Sequence, residues 1–595
     1  MGRIAAFSSF IAAILLSLSA APPSPARACG GLFCNSAQPV NQAAERIIFS
    51  ENGDGTVTAM IEIQYQGPAE QFAWVLPVPG VPEVDVSSTF AFDRLQQATN
   101  PLYQLNTTFA CDFDTVGFAN GSATGGFAAP SEALADGGVN VLAAGSAGPF
   151  DWQVIMVDPA LSDPAQVAVD WLETNGYDLT ALGPEVLRPY LEERLNLLAF
   201  KLNKSADAGS IRPVVISYDA EQPFIPIRPT AVAANDDMGV MVWVVSGDRA
   251  IPENYKALEL NEALIDWFNP GDTYNDVVSA AADEAAGQGF VTEFAGASDA
   301  FQNVVVMEWE RQEWSRIASQ SYASGFDLMN DAFGFFGSWD GFEDAVAASA
   351  ALPTTVSARE LIDCPGCFSS DPEVMLPATT LLQKLYELVI QPAFRTEDLL
   401  QSRNYLTRLY TTMSADEMTL DPIFDFNPDL DDVSNVHVAE QTIECDDSWT
   451  VQLPQGDTVY GTEPNVWPIS LGDEGIPAAR AVMQLGTSGM GETLVDNTDL
   501  IREFISASTG GTVTLADGGV VAAGGSGSGG GGSSAVPAGG GADTDAGDTA
   551  GMTQGGGDGL CGCSVPGRRQ APNPWGLFLM LGLVASRAMR RRVRR

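Results

Sequence analysis

Histidine is almost missing from this chain: His437 is the only one in 595 residues. Sites needing two or more histidine ligands, including helical H-E-x-x-H metalloprotease centres, are therefore excluded. A Ser-His-Asp triad would have to run through His437, which sits between two valines in the strand-like segment NVHVAE and fits a structural histidine better than a general base. The nearest approach to a nucleophile elbow, Gly486-Thr487-Ser488-Gly489-Met490, has Met490 where the turn requires glycine. Basic residues are scarce too, 29 against 76 acidic ones. Ten of the basic residues lie in the two end segments and none of the acidic ones does, leaving the body between residues 29 and 567 near −57. Such a body repels nucleic acid and anionic headgroups. No phosphate-cradling glycine motif occurs outside the C-terminal linker, and no uninterrupted apolar run reaches the roughly 20 residues that cross a bilayer.

What is present begins with an address. One early charge, Arg3, precedes an apolar stretch from Ile4 to Ala21, and small residues end in Ala26-Arg27-Ala28. This is a secretory signal pattern with cleavage after Ala28, leaving Cys29 first. Lipidation of Cys29 is the alternative, disfavoured by Arg27 where a small residue is expected. At the other end, Cys561-Gly562-Cys563 is followed by an apolar run from Trp575 to Ala585, expected as a short transmembrane segment, and by Arg587, Arg590, Arg591, Arg592, Arg594 and Arg595. The positive-inside rule puts the arginines in the cytoplasm and the body outside. Ahead of this tail, residues 503–560 are mostly Gly, Ser, Ala, Thr and Asp, a flexible tether whose 40 or so least apolar residues span roughly 35 Å root-mean-square.

Six cysteines remain between the two signals: Cys29, Cys34, Cys111, Cys364, Cys367 and Cys445. An even number in an exported chain points to disulfides, and six cysteines allow 15 pairings. Pairing of Cys29 with Cys34 is local, leaving Cys111 and Cys445 as a long-range staple. Cys364-Pro365-Gly366-Cys367 admits three readings: a structural disulfide, a thiol-exchange site, or half of a metal site.

Periodicity divides the body into an N-terminal α+β region, 29–250, and a more helical region, 251–502. The first opens with a hairpin, ERIIFS and TVTAMIEIQYQ around Gly53 and Gly55, and continues through QFAWVLPVPGVPEV, a strand stopped by its prolines. A Gly/Ala-rich stretch from about 117 to 148 reads as a loop. Helices are expected over 165–174 and 184–202, strands at IRPVVISYD, FIPIRP and GVMVWVVS, and further helices over 379–390, ended by Pro392, and 398–410. Residues 315–336 are ambiguous. The fold class is α+β: β-rich first, mixed and more helical later, with disulfides and a Gly-rich C-terminal tether.

Carboxylates are too plentiful to be diagnostic. Glu308 with Glu310, Asp236 with Asp237, and Asp429 with Asp431 and Asp432 each offer a glycosidase-like pair or a cation site. None follows EF-hand spacing; Asp425–Asp432 is the best calcium candidate, and no other cofactor is expected.

Four phrases, ACGGLFC at 28–34, FAWVLPVP at 72–79, WLETNGYDL at 171–179 and YLTRLYTTMSADEMTLDPIF at 405–424, resemble the bacterial domain of unknown function family 2330 over about residues 28 to 450. That resemblance implies an exported α+β protein and no activity. The C-terminal arrangement is similar to the MYXO-CTERM sorting tail, which implies processing at Cys561 or Cys563 by a tail-cutting protease after export. The expected protein is thus a surface-anchored envelope protein with a binding or structural role rather than an enzyme, meeting the membrane through its tail. The alternatives are a secreted hydrolase using carboxylates or calcium, and thiol-disulfide exchange through Cys364 and Cys367.

Overall fold

The computed structural model describes residues 41–66, 73–110, 139–177, 183–202, 212–232, 234–473 and 475–509, together with 512–514 and 520–522. The signal segment, the tether beyond residue 522, the sorting tail and Cys29, Cys34, Cys111, Cys561 and Cys563 lie outside these residues, whereas the start of the expected tether is ordered: the helix Thr498–Thr509 runs past residue 502, and Thr512–Thr514 pairs with Val520–Ala522. Everything described falls in the compact unit Met1–Gly540.

Hydrophobic runs without alternation build the centre. In Ala234–Ser246 the stretch from Met238 to Ser246 is buried throughout, as is Leu406–Met413 in Tyr405–Met413. Unbroken apolar strands of this kind are stable only where both faces are covered. They lie side by side in a ten-stranded mixed sheet with the order Glu492–Asp496, Ala479–Gln484, Lys256–Leu260, Gly289–Ala297, Tyr405–Met413, Ala234–Ser246, Asn41–Glu51, Thr56–Gln66, Val214–Asp219 and Glu83–Val86. Two neighbouring pairs are parallel, Asn41–Glu51 with Ala234–Ser246 and Lys256–Leu260 with Gly289–Ala297. The sheet takes strands from both sides of residue 250.

The pleat sends alternate residues to two layers. Ile47, Phe49, Val240, Val242 and Val244 join a core with Trp74, Val154, Leu198 and Phe200 of a four-stranded antiparallel sheet, Ala73–Val78, Asn196–Leu202, Phe150–Val157 and Val139–Ala147. The opposite face meets helices. Trp243 donates to Thr99 Oγ1 at 3.0 Å and packs edge-on against Phe92 of the helix Thr89–Thr99. Buried Arg46 binds Glu62 at 2.5 Å and Asp93 at 2.9 Å. A second four-stranded sheet, Thr458–Gly461, Trp449–Gln452, Val436–Ile443 and Leu102–Phe109, completes the body.

The helical content of the second half is concentrated between two adjacent strands. The chain leaves the large sheet after Ala297 and returns at Tyr405, and Ser298 donates from its amide to Asn404 (3.1 Å), closing the gap. The intervening helices include Glu308–Ser319, Gly325–Phe336, Phe342–Ser349, Ala378–Leu385 and Gln391–Leu400.

Several expectations need correction. The helix expected over 184–202 stops at Glu192; Arg194 turns the chain with φ +65°, and Asn196–Leu202 is a central strand. Leu195 and Leu198 match a helical period, but the pairing of Asn196–Leu202 on both sides wins. The helix expected over 398–410 is the end of Gln391–Leu400 followed by the strand Tyr405–Met413, whose Thr and Tyr content suits a pleated site between two partners. Pro392 does not end a helix. A π-turn, Tyr386–Ile390, precedes it, so the proline falls in the first turn of the next helical segment, where its missing N–H matters least. Residues 139–147 of the expected loop form a strand, turned by Gly148 at φ +56° into Phe150–Val157. The ambiguous stretch 315–336 is helical at both ends, and FIPIRP contributes a single bridge, Phe224 to Ile423.

Candidate functional site

His437 and Tyr103 are register partners in the parallel pair Val436–Ile443 and Leu102–Phe109. Parallel strands place such partners side by side, and the two rings stack at 4.7 Å with 17° between planes. The imidazole Nδ1 meets Glu262 Oε1 at 2.6 Å. Glu262 opens a 3₁₀ turn, Glu262–Leu264, which Asn261 caps by accepting from the Ala263 amide. The Glu262 carbonyl accepts from Trp267 Nε1 at 3.1 Å, and Trp267 packs edge-on against Tyr103 at 5.0 Å. Glu262 is therefore held through its main-chain carbonyl and through one carboxylate oxygen. Glu262 is 5% exposed, and its second oxygen, Oε2, has no hydrogen-bond partner.

A second carboxylate lies in the same cleft. Glu293 is the extra residue of a bulge in Gly289–Ala297, where the register against Tyr405–Met413 skips between Thr292 and Phe294. Bulges of this kind re-aim a side chain. Glu293 accepts from Tyr274 Oη at 2.5 Å and sits 2.5 Å from Arg408 Nε. Arg408 donates in turn to Thr99 Oγ1 and to the Gln96 carbonyl, and its guanidinium lies 5.5 Å from the Trp243 ring. A continuous polar line thus runs from the cleft through the large sheet to the helix behind it. Burial beside Glu293 pushes the Tyr274 phenol well above its ordinary range. Desolvation also raises the Glu259 carboxyl, which Arg480 opposes from 3.7 Å.

The cleft these groups share has a volume of about 290 Å³. Leu258, Leu260, Val291, Val433, Met483 and Leu485 form its apolar walls, and Arg249 lies on its lining, donating to the Asp431 carbonyl at 2.6 Å. This is the composition of a small-ligand site: apolar walls, a few polar groups with fixed orientation, and a size at the lower end of the usual range of about 300–1,000 Å³.

The sequence-selected residues distribute differently. His437 is half-buried while the valines on either side, Val436 and Val438, are exposed, so the strand turns the histidine rather than the valines inward, and its carboxylate partner is one that periodicity did not reveal. Met490 lines the cleft, so the GTSGM segment reaches its rim; Ser488 is not among the lining residues. Glu310 is tied to Arg94, whereas Glu308 accepts from Gln312 on the surface, so the two do not act as a pair. Asp429 accepts from the Gly489 amide, Asp432 from Tyr405 Oη and Asp425 from Gln222. Among the described residues no three His, Cys, Asp or Glu side chains come together as a metal-binding group. Cys364 and Cys367 form a disulfide on the exposed end of the helix Ala358–Asp363. Cys445 is also disulfide-bonded.

The residues that sequence reasoning missed are Glu262, Glu293, Tyr103 and Tyr274. Glu293 and its partner Arg408 carried a signal: each is a lone charge inside an apolar strand, FVTEFAG and YLTRLYTT. Glu262 carried none.

An α+β body with a small buried-carboxylate cleft is the class of protein defined here. Residues 23–313 match the family described as uncharacterized protein conserved in bacteria (DUF2330), so just under half of the chain carries that domain family's pattern. The match ends inside the helix Glu308–Ser319, whereas the strand Tyr405–Met413 lies between two strands of the matched stretch. The fold that contains the family region is therefore completed by later residues. No curated protein and no solved structure matches the chain. Among the described residues no helix is long and apolar enough to cross a membrane; the run from Trp575 to Ala585 lies outside them.

Proposed function

We propose that this chain is an exported envelope protein, displayed at the cell surface on a Gly-rich tether, whose body binds a small ligand in the His437 cleft. The cleft is the observation that carries the binding role: two buried carboxylates, each fixed by named donors, open onto one cavity with apolar walls. The address rests on the N-terminal signal pattern with cleavage after Ala28, and on the Cys561/Cys563, apolar and arginine segments. Those segments would engage the export machinery, the membrane and a tail-processing protease in turn. An exposed Cys364–Cys367 disulfide supports export, because such bonds persist in oxidising compartments.

Protease treatment of intact cells tests the display. Peptides from residues 41–509 are expected to be released or lost while a cytoplasmic marker stays whole. Protection of the body until the cells are lysed would overturn the reading.

The same exposed disulfide favours a second reading, thiol-disulfide exchange. After reduction, a Cys364 thiolate would attack a partner disulfide, and Cys367→Ser would leave the mixed disulfide unresolved. Recovery of no trapped partner from cells carrying Cys367→Ser counts against it.

A further inference from the structure

We infer that the His437 cleft takes a small organic cation, an ammonium group carried on an apolar body; the inference rests on the cleft being a binding site. Three carboxylates line it, Glu259, Glu262 and Glu293, against one guanidinium, Arg249. Two of the three have cationic partners within the protein: Arg408 is 2.5 Å from Glu293, and Arg480 is 3.7 Å from Glu259. Glu262 differs. Among the described residues its one ion-pair contact is His437, through Oε1 alone, and Oε2 is buried without a hydrogen-bond partner.

A buried carboxylate oxygen without a donor is costly, because the desolvation of a charged acceptor is not returned. Only a donor relieves that cost, and a positively charged donor relieves most. Hydrogen bonds to charged groups are the stronger class, and a carboxylate repels an anion from the same place. The surrounding surfaces select within the donors. Tyr103 and Tyr274, 6.0 Å apart between ring centroids, line the same cleft and carry π faces that attract a cation. The apolar walls accept hydrocarbon, and among the described residues no three His, Cys, Asp or Glu side chains come together as a site for a bare metal ion. Arg249 lines the cleft as well: its Nη1 donates to the Asp431 carbonyl, with the Asp431 and Asp432 carboxylates nearby, while its Nε is buried without a hydrogen-bond partner, so its one positive charge is already set against two carboxylates.

His437 being the sole histidine provides the assay. In the full chain labelled with ¹³C-histidine, one ring signal reports the cleft. The probes are 2-phenylethylammonium, its neutral analogue 2-phenylethanol and the anion phenylacetate. The ammonium compound is expected to move the signal saturably, with both analogues at least about tenfold weaker. The isosteric Glu262→Gln variant is expected to bind the ammonium compound about tenfold or more weakly, in line with loss of one charged hydrogen bond. Tyr103→Leu, which leaves the carboxylate in place, is expected to weaken it as well. An unshifted thermal midpoint shows that each variant is folded. Equal binding of alcohol or acid, or undiminished binding by Glu262→Gln, overturns the ligand class and leaves the cleft as a binding site. If none of the three probes moves the signal, the inference and the binding role fall together, whereas surface display is judged separately by protease treatment.

Discussion

Replacing Arg408 by methionine removes the charge that neutralises Glu293 behind the cleft. The two side chains are 2% and 1% exposed. Taking one member from a buried pair costs about 3–5 kcal/mol, because the other charge is left without its partner. Tyr274 still donates to Glu293 in the variant, while Thr99 and the Gln96 carbonyl lose a donor. The expected loss is therefore about 4 kcal/mol. The diagnostic feature is its coupling. Arg408→Met with Glu293→Gln removes both charges and retains the Tyr274 contact, so the double variant is expected to recover at least about half of that loss. Urea unfolding followed by tryptophan fluorescence provides the assay: the 11 tryptophans together report loss of the fold, and Trp243, 5.5 Å from the guanidinium, is one of them. A single variant within about 1 kcal/mol of the parent, or two substitutions whose effects simply add, would refute the reasoning.

Three further outcomes follow from the same structure. Phe109 is opposite Ile443 in a parallel register, so two residues further along each strand stand Cys111 and Cys445 in the sequence; non-reducing peptide mapping is expected to recover that pair joined, and a different partner for Cys445 would contradict the register argument. Gly341 has φ +84°, and a Cβ there would run into the Leu388 carbonyl oxygen. Gly341→Ala is expected to lose about 2–4 kcal/mol from left-handed strain and backbone displacement together, read as a lower thermal midpoint, and an unchanged midpoint would oppose this. Desolvation, with Asp283, Asp416 and Asp237 nearby, raises the Glu417 carboxyl above its ordinary value. The folded chain then holds this proton where the unfolded chain has lost it, so stability falls as pH rises through the window just above the ordinary carboxylate range. The dependence of the unfolding midpoint on pH is expected to be shallower in Glu417→Gln, and an identical dependence would remove the cause.

Local chemistry made much of the fold legible. The hairpin around Gly53 and Gly55, the helix Pro164–Thr174 with Asp163 at its cap, and the strand Ala234–Ser246 each follow from their own residues. Reading failed where two periods compete. Leu187 and Leu191 lie on a helix, but Leu195 and Leu198, which continue the same spacing, lie beyond the Arg194 turn and are held by strands distant in sequence. Tyr405–Met413 failed for the same reason, because its pairing with Gly289–Ala297 spans a helical block that separates the two in sequence. The site was less legible than the fold. His437 stood out by scarcity, but its partner Glu262 lies 175 positions away, with no local pattern to distinguish it from the other 75 acidic residues.

The address is the claim on which the reading of an exported binding protein depends most. Intact-mass and peptide mass spectrometry of the native, cell-associated protein without reduction tests it directly. The account predicts loss of residues 1–28, loss of everything after a modified Cys561 or Cys563, and oxidised Cys364, Cys367 and Cys445. A chain with both ends intact and free thiols at Cys364 and Cys367 would contradict it.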